Sequence, residues 1–113
     1  MNCIFSPDPF LFCRVMDGVL SAVGGLNKNG FFHRDIKPDN VFVTEDDKGV
    51  LGDFGLCISA AEAARDVGLG DGTPEYVAPE TLVTGWTVQA ELYAVFLCIA
   101  EALTGRAVFC GKV

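Results

Sequence analysis

Three segments hold side chains whose types and spacing could do chemistry. The first is His33-Arg34-Asp35-Ile36-Lys37-Pro38-Asp39-Asn40, which packs a base, cations, carboxylates and an amide into eight positions. The second is Asp53-Phe54-Gly55, and the third is Gly72-Thr73-Pro74-Glu75-Tyr76-Val77-Ala78-Pro79-Glu80. Asp35, Asn40 and Asp53 fall on loops at one end of an expected hairpin, which brings oxygen ligands together. A small set of hard oxygen donors suits Mg²⁺, an ion that keeps waters and bridges phosphates. Lys37 adds a mobile cation beside them. Such a set fits phosphoryl transfer, where positioning and charge neutralisation supply most of the catalysis.

The elements that must position these groups can be read from pattern. The spacing of Val15, Val19, Ala22 and Leu26 predicts a helix over 10–29, with Gly30 fitting the position just past its end. Val41–Thr44 and Val50–Leu51, separated by Glu45-Asp46-Asp47-Lys48-Gly49, predict a hairpin. Residues 53–86 are rich in Gly and Pro without a period, so a long ordered loop is expected there. A second helix is expected over 87–104, with Thr87 as N-cap and Gly105 as stop. It is apolar nearly all round, which predicts burial on every side.

The chain resembles the eukaryotic-type protein kinases, Ser/Thr type. The resemblance rests on the catalytic loop at 33–40, the DFG triplet at 53–55 and the APE triplet at 78–80, within an activation segment at 53–80. It implies a fold that is mainly α with a short β-hairpin, the core of the kinase C-terminal lobe. It implies ATP and Mg²⁺ as cofactors and a protein hydroxyl as acceptor. By the resemblance, Asp35 would take the proton of the substrate hydroxyl and Lys37 would sit by the transferred phosphate. Asn40 and Asp53 would hold the metal, and Phe42 would lie under the adenine. Thr73 would brace Asp35 and Lys37, with Glu75 and Tyr76 on the substrate-facing wall. His33, Arg34, Phe54, Gly55, Glu80 and Glu91 would be structural. Phe54 reads as a core aromatic with or without the resemblance.

Departures from the family pattern accompany these matches. No G-x-G-x-x-G loop or V-A-I-K lysine stands upstream of the catalytic loop, where Lys28 is the only lysine. The chain therefore reads as the middle of a kinase domain, without the lobe that covers ATP, and little activity is expected of it alone. The Arg of a later helix that pairs with Glu80 in the family has no counterpart, since none of Arg14, Arg34, Arg65 and Arg106 occupies that position, which predicts a stranded carboxylate. Glu91 stands where the family usually has an Asp, which adds a methylene to the group that braces the catalytic loop. Leu69 replaces the usual phosphothreonine, so Asp66 or Asp71 is expected to pair with Arg34. Two rival readings are an inactive, pseudokinase-like interaction module and a lobe completed in trans by a partner chain.

Composition narrows the field. The 113 residues carry 8 Lys or Arg against 15 Asp or Glu, a net charge of −7, which leaves no basic stripe for nucleic acid. The 5 cysteines include no C-x-x-C and there is 1 His, so zinc is disfavoured and reduced, packed thiols are expected. Cys57 in particular reads as an inert packed thiol. The longest apolar run, Leu92 to Ala100, is far shorter than the roughly 20 residues of a membrane span. An intracellular setting, cytoplasmic or nuclear, is expected.

Overall fold

A computed structural model describes residues 3–4, 9–65, 73–104 and 109–112. Helix α1, Pro9–Lys28, opens on a proline, whose fixed φ and missing donor suit a first turn. It ends where Gly30 takes φ 83°, a conformation a glycine adopts without steric cost. Val15, Met16, Val19 and Val23 form its buried stripe. Ala22 and Leu26, expected on the same face, are only half-buried. By length and composition α1 is the one described helix that could cross a membrane. Arg14 and Asp17 interrupt its apolar runs, which is why run length alone did not mark it. Here its buried stripe belongs to the core.

Strand β1 is Cys3–Ile4, and β2 is Phe31–Phe32 directly after α1. A 3₁₀ turn, Pro38–Asn40, leads into β3, Val41–Val43, which pairs antiparallel with β4, Gly49–Leu51. Val41 and Val43 face inward, as do Gly49 and Leu51, while Val50 faces out. That alternation follows the two-residue period of a strand. Gly49, expected in the loop, is part of the strand and touches α1. A Cβ on Gly49 would lie 2.0 Å from the carbonyl oxygen of Val15, and one on Gly18 would lie 2.2 Å from that of Gly49. Two glycines thus let the helix backbone rest directly on the hairpin.

The sheet exceeds the hairpin expected from sequence. Its strand order is β1-β6-β3-β4, with β6, Phe109–Lys112, parallel to β3 and antiparallel to β1. A second pair joins β2 to β5, Ile58–Ser59. The expected long loop also holds α2, Ala60–Arg65, a 3₁₀ turn at Pro74–Tyr76, and α3, Thr81–Thr84. These elements are too short to show a period, which is why they escape the sequence pattern. Ser59 caps α2, its hydroxyl accepting from the Glu62 amide at 3.1 Å.

Helix α4, Val88–Leu103, begins where Thr87 accepts a hydrogen bond from the Ala90 amide at 3.2 Å. The expected stop at Gly105 lies outside the described residues. Burial on all sides is not what the structure shows. Ala90, Glu91, Ala94, Val95 and Cys98 are buried, whereas Phe96 is 65% and Leu103 68% exposed. The core is the meeting of α1, the β3–β4 hairpin, Ile36 and the buried face of α4.

Candidate active site

The loop at 33–40 is held from below by one side chain. Glu91, fully buried, accepts from the backbone amides of His33 at 2.8 Å and Arg34 at 3.0 Å. It also accepts from the Trp86 indole at 3.1 Å and from the Asn27 amide at 3.3 Å. Four donors from three segments satisfy both carboxylate oxygens, as a buried charge requires. The extra methylene of Glu over Asp therefore does not prevent the bracing contacts. Asn27 and Trp86 were not singled out by sequence. A polar side chain near the end of an apolar helix was the available signal for Asn27.

Arg34 takes φ 72°, which is uncommon for a residue with a Cβ. Glu91 on its amide and the Leu56 carbonyl, 2.7 Å from its Nε, hold it there. The expected partners Asp66 and Asp71, together with Leu69, lie outside the described residues. Asp53 has φ 52°, so two left-handed residues flank the loop and the turn after β4. Such conformations persist only where the surroundings impose them, and they gather at functional sites.

His33 links those two segments. Its Nδ1 accepts from the Asp35 amide at 3.1 Å, which leaves Nε2 to donate to the Gly52 carbonyl at 2.8 Å. The ring of Phe54 meets His33 edge-on at 5.1 Å. Phe54 is nevertheless 51% exposed, so it is not the core aromatic expected, because among the described residues His33 supplies its one ring contact. The amide of Gly55 donates to Asp53 Oδ1 at 3.3 Å.

Asp35, Lys37, Asn40 and Thr73 converge. Lys37 donates to Thr73 Oγ1 at 2.8 Å, and that hydroxyl donates to Asp35 Oδ1 at 3.0 Å. Asn40 Nδ2 donates to the Asp35 carbonyl at 2.7 Å and to Asp35 Oδ2 at 3.3 Å. The amide nitrogen of Asn40 is thus committed, and its oxygen is turned away from those contacts. Asp53 is exposed just beyond Gly52, whose amide donates to the Asn40 carbonyl at 2.8 Å. Among the described residues no cluster of three His, Cys, Asp or Glu could hold a metal. One carboxylate and one amide oxygen are a thin donor set, which suits an ion that takes its other ligands from phosphate and water. Phe42 is half-buried with its ring against Gly52, where a Cβ would approach to 2.6 Å.

A groove of about 670 Å³ opens beside Lys37 and Thr73, which help to line it. Glu75 and Tyr76 form one wall and the last turns of α4 the other. Burial, together with the Glu101 carboxylate, raises the pKa of the Tyr76 hydroxyl. Burial first, then Glu101 and Asp39, push the Cys98 thiol up to about 12. Cys57 is half-buried with its thiol pKa raised, mainly by burial, in line with an inert thiol; Cys13 is exposed, contrary to the expectation of packed thiols. Glu80 is exposed, so its carboxylate is solvated rather than stranded in the interior.

These features coincide with a family found by comparison. The protein kinase domain profile matches residues 5–113, and the chain belongs to that family. It is 37% identical over 95 residues to the serine/threonine-protein kinase AtPK1/AtPK6 of Arabidopsis thaliana, covering 83% of this chain and 20% of that protein. It is 34% identical over 93 residues to PknH of Mycobacterium bovis, covering 80% of this chain and 16% of the relative. PknL of Mycobacterium tuberculosis is 32% identical over 105 residues, covering 91% and 26%. The chain therefore spans about a quarter or less of the length of these serine/threonine kinases.

Proposed function

We propose that the chain is the core of a kinase C-terminal lobe that serves phosphoryl transfer from Mg·ATP to a Ser or Thr hydroxyl of a protein. The observation that carries this reading is the Lys37–Thr73–Asp35 chain of hydrogen bonds, with Asn40 on the same carboxylate. Asn40 and Asp53 would hold Mg²⁺, and Phe42 would face the adenine. The nucleotide and ion supply the phosphoryl group and neutralise its charge when bound.

The chain's own residues do the rest. Thr73 and Asn40 fix the Asp35 carboxylate in one orientation, so its remaining lone pairs can accept the proton of an incoming hydroxyl. Lys37 places a cation on the same side, where negative charge develops on the phosphate. Glu91 and His33 hold the loop that carries all of these. Glu75 and Tyr76 would flank the acceptor. An intracellular setting, cytoplasmic or nuclear, goes with this reading. The rivals, an inactive interaction module and a lobe completed in trans, predict no use of Asp53 and a partner requirement, respectively.

A paramagnetic titration tests the proposal. Mn²⁺ with ADP, added to the ¹⁵N-labelled chain, is expected to broaden the amide signals around Asn40 and Asp53 first, and Asp53→Ala should abolish that pattern. Equal broadening in the Asp53→Ala variant, or broadening centred on Glu45–Asp47 instead, would count against the site.

A further inference from the structure

The sheet brings together two cysteines whose spacing in the sequence marks no pair. Cys3 on β1 lies directly opposite Cys110 on β6 in antiparallel register, with Ile4 opposite Phe109. The two are 107 positions apart in the chain. Opposed residues of an antiparallel ladder have Cα atoms about 4.5 or 5.5 Å apart, according to whether the pair exchanges hydrogen bonds. A disulfide spans Cα separations of about 4.4–6.8 Å, so either kind of pair falls within its range. The other cysteines are poorer partners. Cys98 is fully buried with its thiol pushed up to about 12, and Cys57 is half-buried with its thiol also raised. The thiolate is the attacking form, so neither competes near neutral pH. Cys13 is exposed, but it lies on α1, where no strand register sets it opposite a second cysteine.

We propose that Cys3 and Cys110 form a redox pair, closed to an intramolecular disulfide by a small-molecule disulfide such as oxidised glutathione and reopened by thiols. One cysteine thiolate attacks a glutathione sulfur, which forms a mixed disulfide and releases the first glutathione as its thiolate. The second cysteine then attacks the protein sulfur of that bond, and the second glutathione leaves. Two protein thiols are oxidised, one glutathione disulfide is reduced to two thiols, and the two protons pass to them. The strand register raises the effective concentration of the second thiol, which favours closure over a stable glutathione adduct. The bond would act where the sheet is weakest. β1 is two residues long and, among the described residues, pairs with β6 alone. β6 in turn lies beside β3, with Cys110 opposite Phe42 and Lys112 opposite Val43, and β3 follows directly on Asn40. Closure therefore ties the edge of the sheet to the strand that carries Phe42. The pairing needs only the sheet, so it stands apart from the kinase reading.

The test uses the 113-residue chain carrying Cys13→Ser, so that the tryptic fragment 1–14 holds Cys3 alone. The dilute chain is equilibrated with glutathione at several ratios of oxidised to reduced form, alkylated, digested with trypsin and weighed by mass spectrometry. The expected product is fragment 1–14 joined to fragment 107–112 within a single chain, reverted by excess dithiothreitol. Closure should be at least about tenfold more favourable in buffer than in denaturing urea, because only the folded sheet holds the register. A bond closing so long a loop constrains the unfolded chain strongly, so oxidation should raise the urea midpoint by about 1–2 M. Cys3→Ser and Cys110→Ser, each added separately, should abolish that rise. The proposal is overturned if both cysteines stop at glutathione adducts, if they link only between chains, or if either pairs with Cys57 or Cys98 instead. Closure no more favourable in buffer than in urea, or a closed chain with an unchanged midpoint, overturns it as well.

Discussion

The two faces of α4 behave as if they belonged to different proteins. The inward face carries Glu91, Ala94, Val95 and Cys98, spaced by three, one and three, and its one charge is satisfied by four donors. The outward face carries Leu92, Phe96 and Leu103, all exposed; Leu82 and Val83 on α3 are exposed as well, at 62% and 80%. The inward face positions the site; the outward face makes no comparable set of contacts within the described residues. Within the described residues the loop at 33–40 is braced by internal contacts, while the outward face of α4 stays exposed.

The strongest way to break this contrast is to empty the inward face of its charge. Glu91→Ala leaves the His33 and Arg34 amides, the Trp86 indole and the Asn27 amide without their acceptor. Each buried donor left unpaired costs about 1–3 kcal/mol, and relaxation recovers part of that, so a loss of about 3–5 kcal/mol is expected. Against a total of roughly 5–15 kcal/mol for a native domain, urea unfolding should show a much lower midpoint or no transition. Glu91→Gln, which keeps one acceptor oxygen, should fall between. A Glu91→Ala chain as stable as the parent would show that the loop at 33–40 is held by something else.

The motif residues around the loop that Glu91 braces were largely legible in the sequence. Short motifs with fixed internal spacing place Asp35, Asn40, Asp53 and Thr73, since each chemistry needs its own residue type. Helix limits also followed, because Gly30 and Thr87 are local signals for ends. What escaped was set by contacts between distant segments. Asn27 and Trp86 become donors only when α1 and the start of α4 meet at Glu91. Asp39 and Glu101, 62 positions apart, share a groove that no window can see. The exposure of Phe96 escaped for the opposite reason. An apolar helix reads as buried whether or not the layer that buries it is present.

The inward face should also reveal itself through pH. Cys98 is fully buried, and its thiol rises from an ordinary 9.0 to about 12. Between those values the unfolded chain has lost the proton and the folded chain retains it. Stability is therefore fully present below about pH 9 and declines as pH rises toward 12, by about 1.4 kcal/mol per pH unit for a single group. Tyr76, also raised, adds to the decline at its upper end. Cys98→Ala should show a shallower fall between pH 9 and 11 in urea melts, after allowance for a constant offset from lost packing. Identical slopes in parent and variant would mean that Cys98 is reached by solvent.

The smallest effect is expected on the outward face, and its smallness is informative. Phe96 and Cys98 are two residues apart on one helix, yet one is 65% exposed and the other 0%. A side chain that stays mostly in water contributes little burial, and surface substitutions of this kind usually change stability within about 0.5 kcal/mol. Phe96→Ser should therefore leave the urea midpoint of the dilute chain nearly unchanged, though serine gives up some helix propensity. A buried Phe cut down to a small residue loses about 3–5 kcal/mol, so the two cases are easily told apart. The measurement belongs at several chain concentrations. A loss of stability that appears only as concentration rises would mean that the outward face becomes buried between copies. A loss at every concentration would mean that the chain covers Phe96 itself, and the contrast between the two faces of α4 would disappear.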